Sequence, residues 1–337
     1  MNSRRRLTYA GYCNSRSSAG SAQVTGHEGP VKPRNVAVET SPPHRIRKFV
    51  PRRVPDNGQP WSEVERLLAT TPGNSVSQLG TAASVAAHDR LDRLRNERRI
   101  VGLAVAVINE GHVVHRELLG VEDLERLHPL TGQSRFAVGS CAKLPTALAV
   151  LALAEAGQLD LNAPVGKYLN SPVLAAPSPE SASPTSADLL LHRAGVPHDV
   201  SRSVAEQRIG GARLADVLPS IQLTSPPGHE ATYSNLGYEL LGAIVEQVTG
   251  EPHAEFVERK ILARYGMTGS TLQRRGQPAV IDITGYHVVG DLLVATDPAR
   301  PYSAAGGMSS NLSDMTRLAS ASRIPRPPRR PSPASRR

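Results

Sequence analysis

Apolar positions gather in a few stretches of the chain, and the densest runs from Phe136 to Gly157, FAVGSCAKLPTALAVLALAEAG. A short apolar entry over Phe136 to Val138 reaches Gly139 and Ser140, where a helical pattern begins. Leu144, Leu148, Val150, Leu151 and Leu153 leave almost no polar face, which predicts a buried helix, and Gly157 supplies a left-handed stop. Upstream, residues 81–99 predict an amphipathic helix with Leu91 and Leu94 on one face and arginines opposite. IVGLAVAVINEGHVVHRELLGVEDLE then predicts two strands joined at Asn109-Glu110-Gly111. His112 and His115 differ by an odd number, so a strand points them to opposite faces; both are expected at the surface.

Downstream, QLDLNAPVGKYL predicts a Pro-containing connector, and Ser171 to Pro184 a loop. Thr185 to Asp188 carry capping-box chemistry for a short helix that Gly195 and Pro197 stop. His192, His198 and Asp199 lack the spacing of a zinc site and are taken as cap and loop residues. A further helix is predicted over 212–221, then a turn at Pro226-Pro227-Gly228. Tyr233-Ser234-Asn235 leads into an apolar helix from Leu236 to Val248 that stops at Gly250.

Charge changes this picture only at the ends. The net charge is +9, but residues 1–53 alone carry +9 and residues 323–337 carry +6, so the stretch between them is mildly acidic. Residues 1–76 and 323–337 are rich in Arg, Ser and Pro without period, and are expected as disordered tails around a domain at 77–322. No stacking aromatics interleave with the basic charge, which argues against a nucleic-acid partner. Cys13 and Cys141 form no disulfide framework, and no apolar run approaches the length of a membrane span. Ser3 to Leu7 read SRRRL, the opening of a twin-arginine signal, but no apolar region follows, so a cytoplasmic location is expected.

The chemistry lies in the densest apolar stretch. The chain has five lysines, and only Lys143 follows a serine, Ser140, by three positions. In the first turn of a helix, Ser140 meets backbone N–H groups that are unpaired and can stabilise an oxyanion. An amine in apolar surroundings holds its proton less firmly, so Lys143 can help take the serine proton. This is the S-x-x-K arrangement of a nucleophilic serine.

Taken in order, GLAVAVINEGHVV, FAVGSCAK, AEAGQLDLNAPVGKYL, DLLLHRAGVP, PPGHEATYSNLGYELLGAIVEQVTG, RYGMTGSTL and AAGGMSSNLSDMTRLA resemble the β-lactamase-related serine hydrolases over roughly residues 80–320. That group includes class C β-lactamases, D-alanyl-D-alanine carboxypeptidases (penicillin-binding proteins) and esterases. The resemblance implies an α/β fold, β-lactamase/transpeptidase-like, with an antiparallel sheet flanked by helices and a mainly helical region. It also implies Ser140 as nucleophile, Lys143 as its activator, Tyr233 as a second proton carrier and Asn235 as donor to the substrate amide. The implied partner is a small-molecule or peptide acyl substrate, with no metal or organic cofactor; no oligomeric state follows.

The family's third motif, Lys-Thr-Gly or His-x-Gly on a later strand, has no counterpart after Gly307; the only His-x-Gly is His27-Glu28-Gly29. The C-terminal strands are therefore expected to be missing, leaving an unpaired apolar edge on Leu103 to Val107. The alternative to an active hydrolase is thus a catalytically impaired, truncated homologue. Pro145, just past Lys143, removes one N–H where the first turn spares it.

Overall fold

The computed structural model describes residues 80–169, 183–199, 221–274, 277, 280–296 and 303–321, with short stretches of backbone elsewhere. Most of the tails expected to be disordered, residues 212–220 of the helix expected at 212–221 and most of the loop at 171–184 fall outside the described residues. Contacts divide the chain into two units. In the unit of residues 1–60 with 287–294, β1 (Leu7–Tyr9) pairs antiparallel with β2 (Ala22–Val24). In the same unit β3 (Arg34–Val38) pairs with β4 (Ile46–Pro51), and β5 (Gln59–Pro60) runs antiparallel to Leu292 and Leu293.

The larger unit holds every candidate site residue. Its first sheet is built from β6 (Asn74–Ser77), β7 (Gly102–Asn109) and β8 (His112–Gly120) in the order β6-β8-β7, all antiparallel. The β7–β8 turn is the expected one: Glu110 and Gly111 have φ of 52° and 85°, the two positive values a tight hairpin demands. β7 is the edge strand, and among the described residues no strand pairs with its outer side. Its half-buried Leu103 and Val105 thus lie on an open edge.

Helix α1 (Thr81–Glu97) packs on β8. Here the expected polarity is overturned: Leu94 is exposed, while Arg95 is buried and doubly bonded to Asp92 at 2.7 and 3.0 Å. Asp92, one turn back on the same helix, answers the charge at Nε and one terminal nitrogen of the guanidinium. His115 is likewise buried, not at the surface; its Nε2 lies 3.2 Å from the buried Glu117 carboxylate, which also meets His88 of α1. Residues two apart on a strand share a face, and that face carries α1.

A second sheet carries the site. β9 (Phe136–Ala137) pairs with a strand far along the chain, Met308–Ser310, which pairs in turn with Thr271–Leu272. After β9 a 3₁₀ turn, Gly139–Ala142, feeds α2 (Lys143–Glu155). The short α3 (Gly166–Leu169) follows, then β10 (Leu174–Ala175). Next is α4 (Ser186–Leu190), whose capping box is formed: Thr185 Oγ1 accepts from the Asp188 N–H, and the Asp188 carboxylate accepts from the Thr185 N–H. β11 (Ile221–Gln222) runs parallel to β10. α5 (Asn235–Thr249) ends at Gly250 with φ 74°, as expected.

α6 (His253–Val257) continues through a π-helical turn to Tyr265 and on to β12 (Thr271–Leu272). β13 (Tyr286–Val289), β14 (Leu292–Ala295), β15 (Met308–Ser310) and α7 (Leu312–Ala321) complete the order. The main core lies between α2, α4, α5 and α6, around Ala149, Val150, Leu189, Leu241, Ile244 and Val257. α2 is buried on one face only. Lys143, Thr146, Ala149, Val150 and Leu153 face inward, but Leu144 and Leu151 are 44% and 45% exposed, so the all-round burial expected for this helix is not found.

Candidate active site

The local sequence explains how Ser140 is presented. Gly139 takes φ 55°, which turns the chain out of β9 into the 3₁₀ segment. With three residues per turn, residues 140 and 143 stack one above the other. Ser140 is exposed, and Lys143, the first residue of α2, is buried. Pro145 falls in the first turn of α2, where its missing N–H has no intrahelical partner to lose.

The other wall is the start of α5. Ser234 caps it: its Oγ accepts from the Gly237 N–H at 2.8 Å and donates to the Pro197 carbonyl at 2.6 Å. These two hydrogen bonds fix the triplet, so Tyr233 points out and Asn235 points in. Tyr233 Oη donates to Ser140 Oγ at 2.8 Å. The Lys143 amine donates to Asn235 Oδ1 at 2.7 Å and to the Ala305 carbonyl at 2.8 Å, and it lies 4.8 Å from the centre of the Tyr233 ring. The four expected residues therefore meet in one place.

Two details differ from expectation. The side chain bonded to Ser140 is Tyr233, while Lys143 is held by Asn235 and the Ala305 carbonyl. And Asn235, expected to offer its N–H to substrate, gives Nδ2 to Asp199 Oδ1 at 2.8 Å.

Residues of the 192–199 loop enter the site, although their spacing pointed only to caps and turns. His192, in the left-handed region at φ 58°, stacks on Tyr233 with ring centres 4.6 Å apart. Its Nδ1 accepts from the Ser234 N–H at 3.1 Å, which fixes the tautomer with the proton on Nε2. His198 pairs with Asp199 at 2.5 Å, and its ring lies tilted against Tyr233 with centres 5.7 Å apart. Nothing in the sequence joins this loop to Tyr233; only the bonds that dock it on α5 do. Among the described residues no group of three or more His, Cys, Asp or Glu is placed to hold a metal ion, and no helix is long and apolar enough to cross a membrane.

Burial, with repulsion from Lys143 and His198, lowers the pKa of His192 below its ordinary value of 6.5. The native state thus favours the neutral ring, so the stability His192 contributes is present above the unfolded value and is lost as pH falls through the lowered native one. In urea titrations, stability is expected to fall from pH 7.5 to pH 5, and the fall should be smaller in His192→Gln. An equal fall in both proteins would show that this ring is not a source of it.

Comparisons with known proteins bear on the family and the fold. The family model for Beta-lactamase matches residues 87–336. The chain belongs to the β-lactamase family. Protein flp of Staphylococcus aureus is 27% identical over 202 residues, 59% of this chain and 40% of that protein. Esterase EstB of Burkholderia gladioli is 34% identical over 205 residues, 55% of this chain and 51% of that one. The chain thus spans about half or less of the curated relatives it matches. Among solved structures, the octameric penicillin-binding protein homologue of Pyrococcus abyssi superposes with a TM-score of 0.58 at 27% identity, covering 70% of this chain and 55% of that one. The fold is that of the β-lactamases and transpeptidases.

Proposed function

We propose that the chain is a serine hydrolase that takes the acyl group of an amide, β-lactam or ester onto Ser140. The observation that carries this reading is the 2.8 Å bond between Tyr233 Oη and an exposed Ser140 Oγ, with the buried Lys143 amine one turn away. Attack forms the bond from Ser140 Oγ to the carbonyl carbon, and the serine proton passes into the Tyr233–Lys143 pair. Collapse breaks the bond to the leaving group, which takes a proton back from Tyr233. Water then adds to the acyl-enzyme and releases the acid, restoring Ser140. The second N–H of Asn235 Nδ2, the one not given to Asp199, binds the substrate's carbonyl.

The test is covalent labelling with benzylpenicillin and with para-nitrophenyl acetate, followed by mass spectrometry of the digested chain. The adduct is expected on Ser140 and is absent from Ser140→Ala. An adduct on Ser234 or Ser309 defeats the reading.

A further inference from the structure

Both acceptors of the Lys143 amine are held by α5. Asn235 holds it directly, and Glu239, one turn further along the same face, holds it at one remove. Glu239 is 2% exposed, and its Oε1 accepts from the Ala305 N–H at 2.9 Å. The same peptide group is gripped at its other end: the Ala304 carbonyl accepts from Thr146 Oγ1 at 2.8 Å. Thr146 Oγ1 also lies 3.2 Å from the Ala142 carbonyl and 3.1 Å from His253 Nε2. Gly242 completes the cradle, since a Cβ there would lie 2.7 Å from the Ala304 Cβ. The next carbonyl along the chain, that of Ala305, is the one that accepts from Lys143.

We propose that Glu239 is a positioning residue for the acylation step: by fixing the Ala304–Ala305 peptide it aims the Ala305 carbonyl, and through it the Lys143 amine, at the Tyr233–Ser140 pair. This rests on the hydrolase reading above. A buried carboxylate is costly to place in a core, and here it meets the backbone N–H of the residue whose carbonyl is the lysine's acceptor. Proton transfer is sensitive to displacements of about 1 Å, which cost up to about a hundredfold in rate.

The experiment compares Glu239→Met, which keeps length but accepts no hydrogen bond, with Glu239→Gln, which keeps the acceptor. Single-turnover acylation by para-nitrophenyl acetate is expected to slow about tenfold to a hundredfold in Glu239→Met with little change in apparent binding, and to stay near wild type in Glu239→Gln. Glu239→Met should add nothing in a Lys143→Met background, a non-additivity that general loosening of the fold would not give. Wild-type acylation in Glu239→Met, equal losses in both variants, or full additivity overturns the proposal. Should Glu239→Met fail to fold, Glu239→Asp, which withdraws the carboxylate by one methylene, serves in its place with the same expected losses.

Should the wild-type chain give no adduct at all, the hydrolase reading fails separately. The position of the amine is then read by NMR of protein labelled with ¹⁵N-lysine, tractable because the chain has only five lysines. The Lys143 signal is expected to shift and broaden in Glu239→Met and not in Glu239→Gln; a signal unmoved in both overturns the proposal.

Discussion

Lys143→Met is expected to slow acylation of Ser140 by about a thousandfold, the scale on which an activating base contributes to a weak nucleophile. Met keeps most of the volume, so the core of α2 and α5 stays filled while the amine is gone. Two acceptors, Asn235 Oδ1 and the Ala305 carbonyl, then lose their donor. That costs about 1–3 kcal/mol. The rate should therefore collapse while the protein stays folded. Stopped-flow release of para-nitrophenol, run beside thermal unfolding, separates the two effects. A variant that acylates within about tenfold of wild type would make Tyr233 sufficient by itself, and the role given to Lys143 would fall.

The second large effect is on stability, at Gly195→Ala. Gly195 sits at φ 68°, and a Cβ there would lie 2.0 Å from the Ser225 carbonyl oxygen. The close approach is made by backbone: the Gly195 carbonyl accepts from both the Thr224 N–H at 2.8 Å and the Thr224 hydroxyl at 3.0 Å. A left-handed alanine costs about 1 kcal/mol, and forced displacement of a packed backbone adds about 1–3 kcal/mol. A loss of about 3 kcal/mol is expected in urea unfolding at neutral pH. The loop that carries His198 and Asp199 would move with it, so acylation should fall as well. Unchanged stability would mean that the 193–199 and 223–228 segments pack more loosely than the described contacts require.

Ser140 and Lys143 were legible because they stand at a helix start, where Gly139 and the apolar run behind it are local signals, whereas Tyr233 and Asn235 came into view only through the family resemblance. The β7–β8 hairpin and the capping box at Thr185 were legible from local signals as well. Arg95 and His115 were misread because periodicity reports which positions are apolar, not which polar residues find partners inside. Leu144 and Leu151 were misread for the converse reason: an all-apolar helix signals burial on every side, yet α2 has packing partners on only one. His192, Asp199 and Glu239 carried no signal as site residues, because what makes them so is contact across 36 to 66 positions of chain, from Asp199 to Asn235 and from Glu239 to Ala305.

Those separations bear on how the molecule reaches its working form. The bonds that define the site join residues 92, 93 and 162 apart, whereas the β7–β8 hairpin closes through a two-residue turn. Closing a long loop costs chain entropy that is recovered only when the distant contacts form. The Lys143–Ala305 bond, with the longest span of the three, needs β15 in place beside β9 before its acceptor exists. Helices and hairpin thus belong to the early, local part of folding, and the site is a late product of it, complete only when the segment after residue 303 has docked.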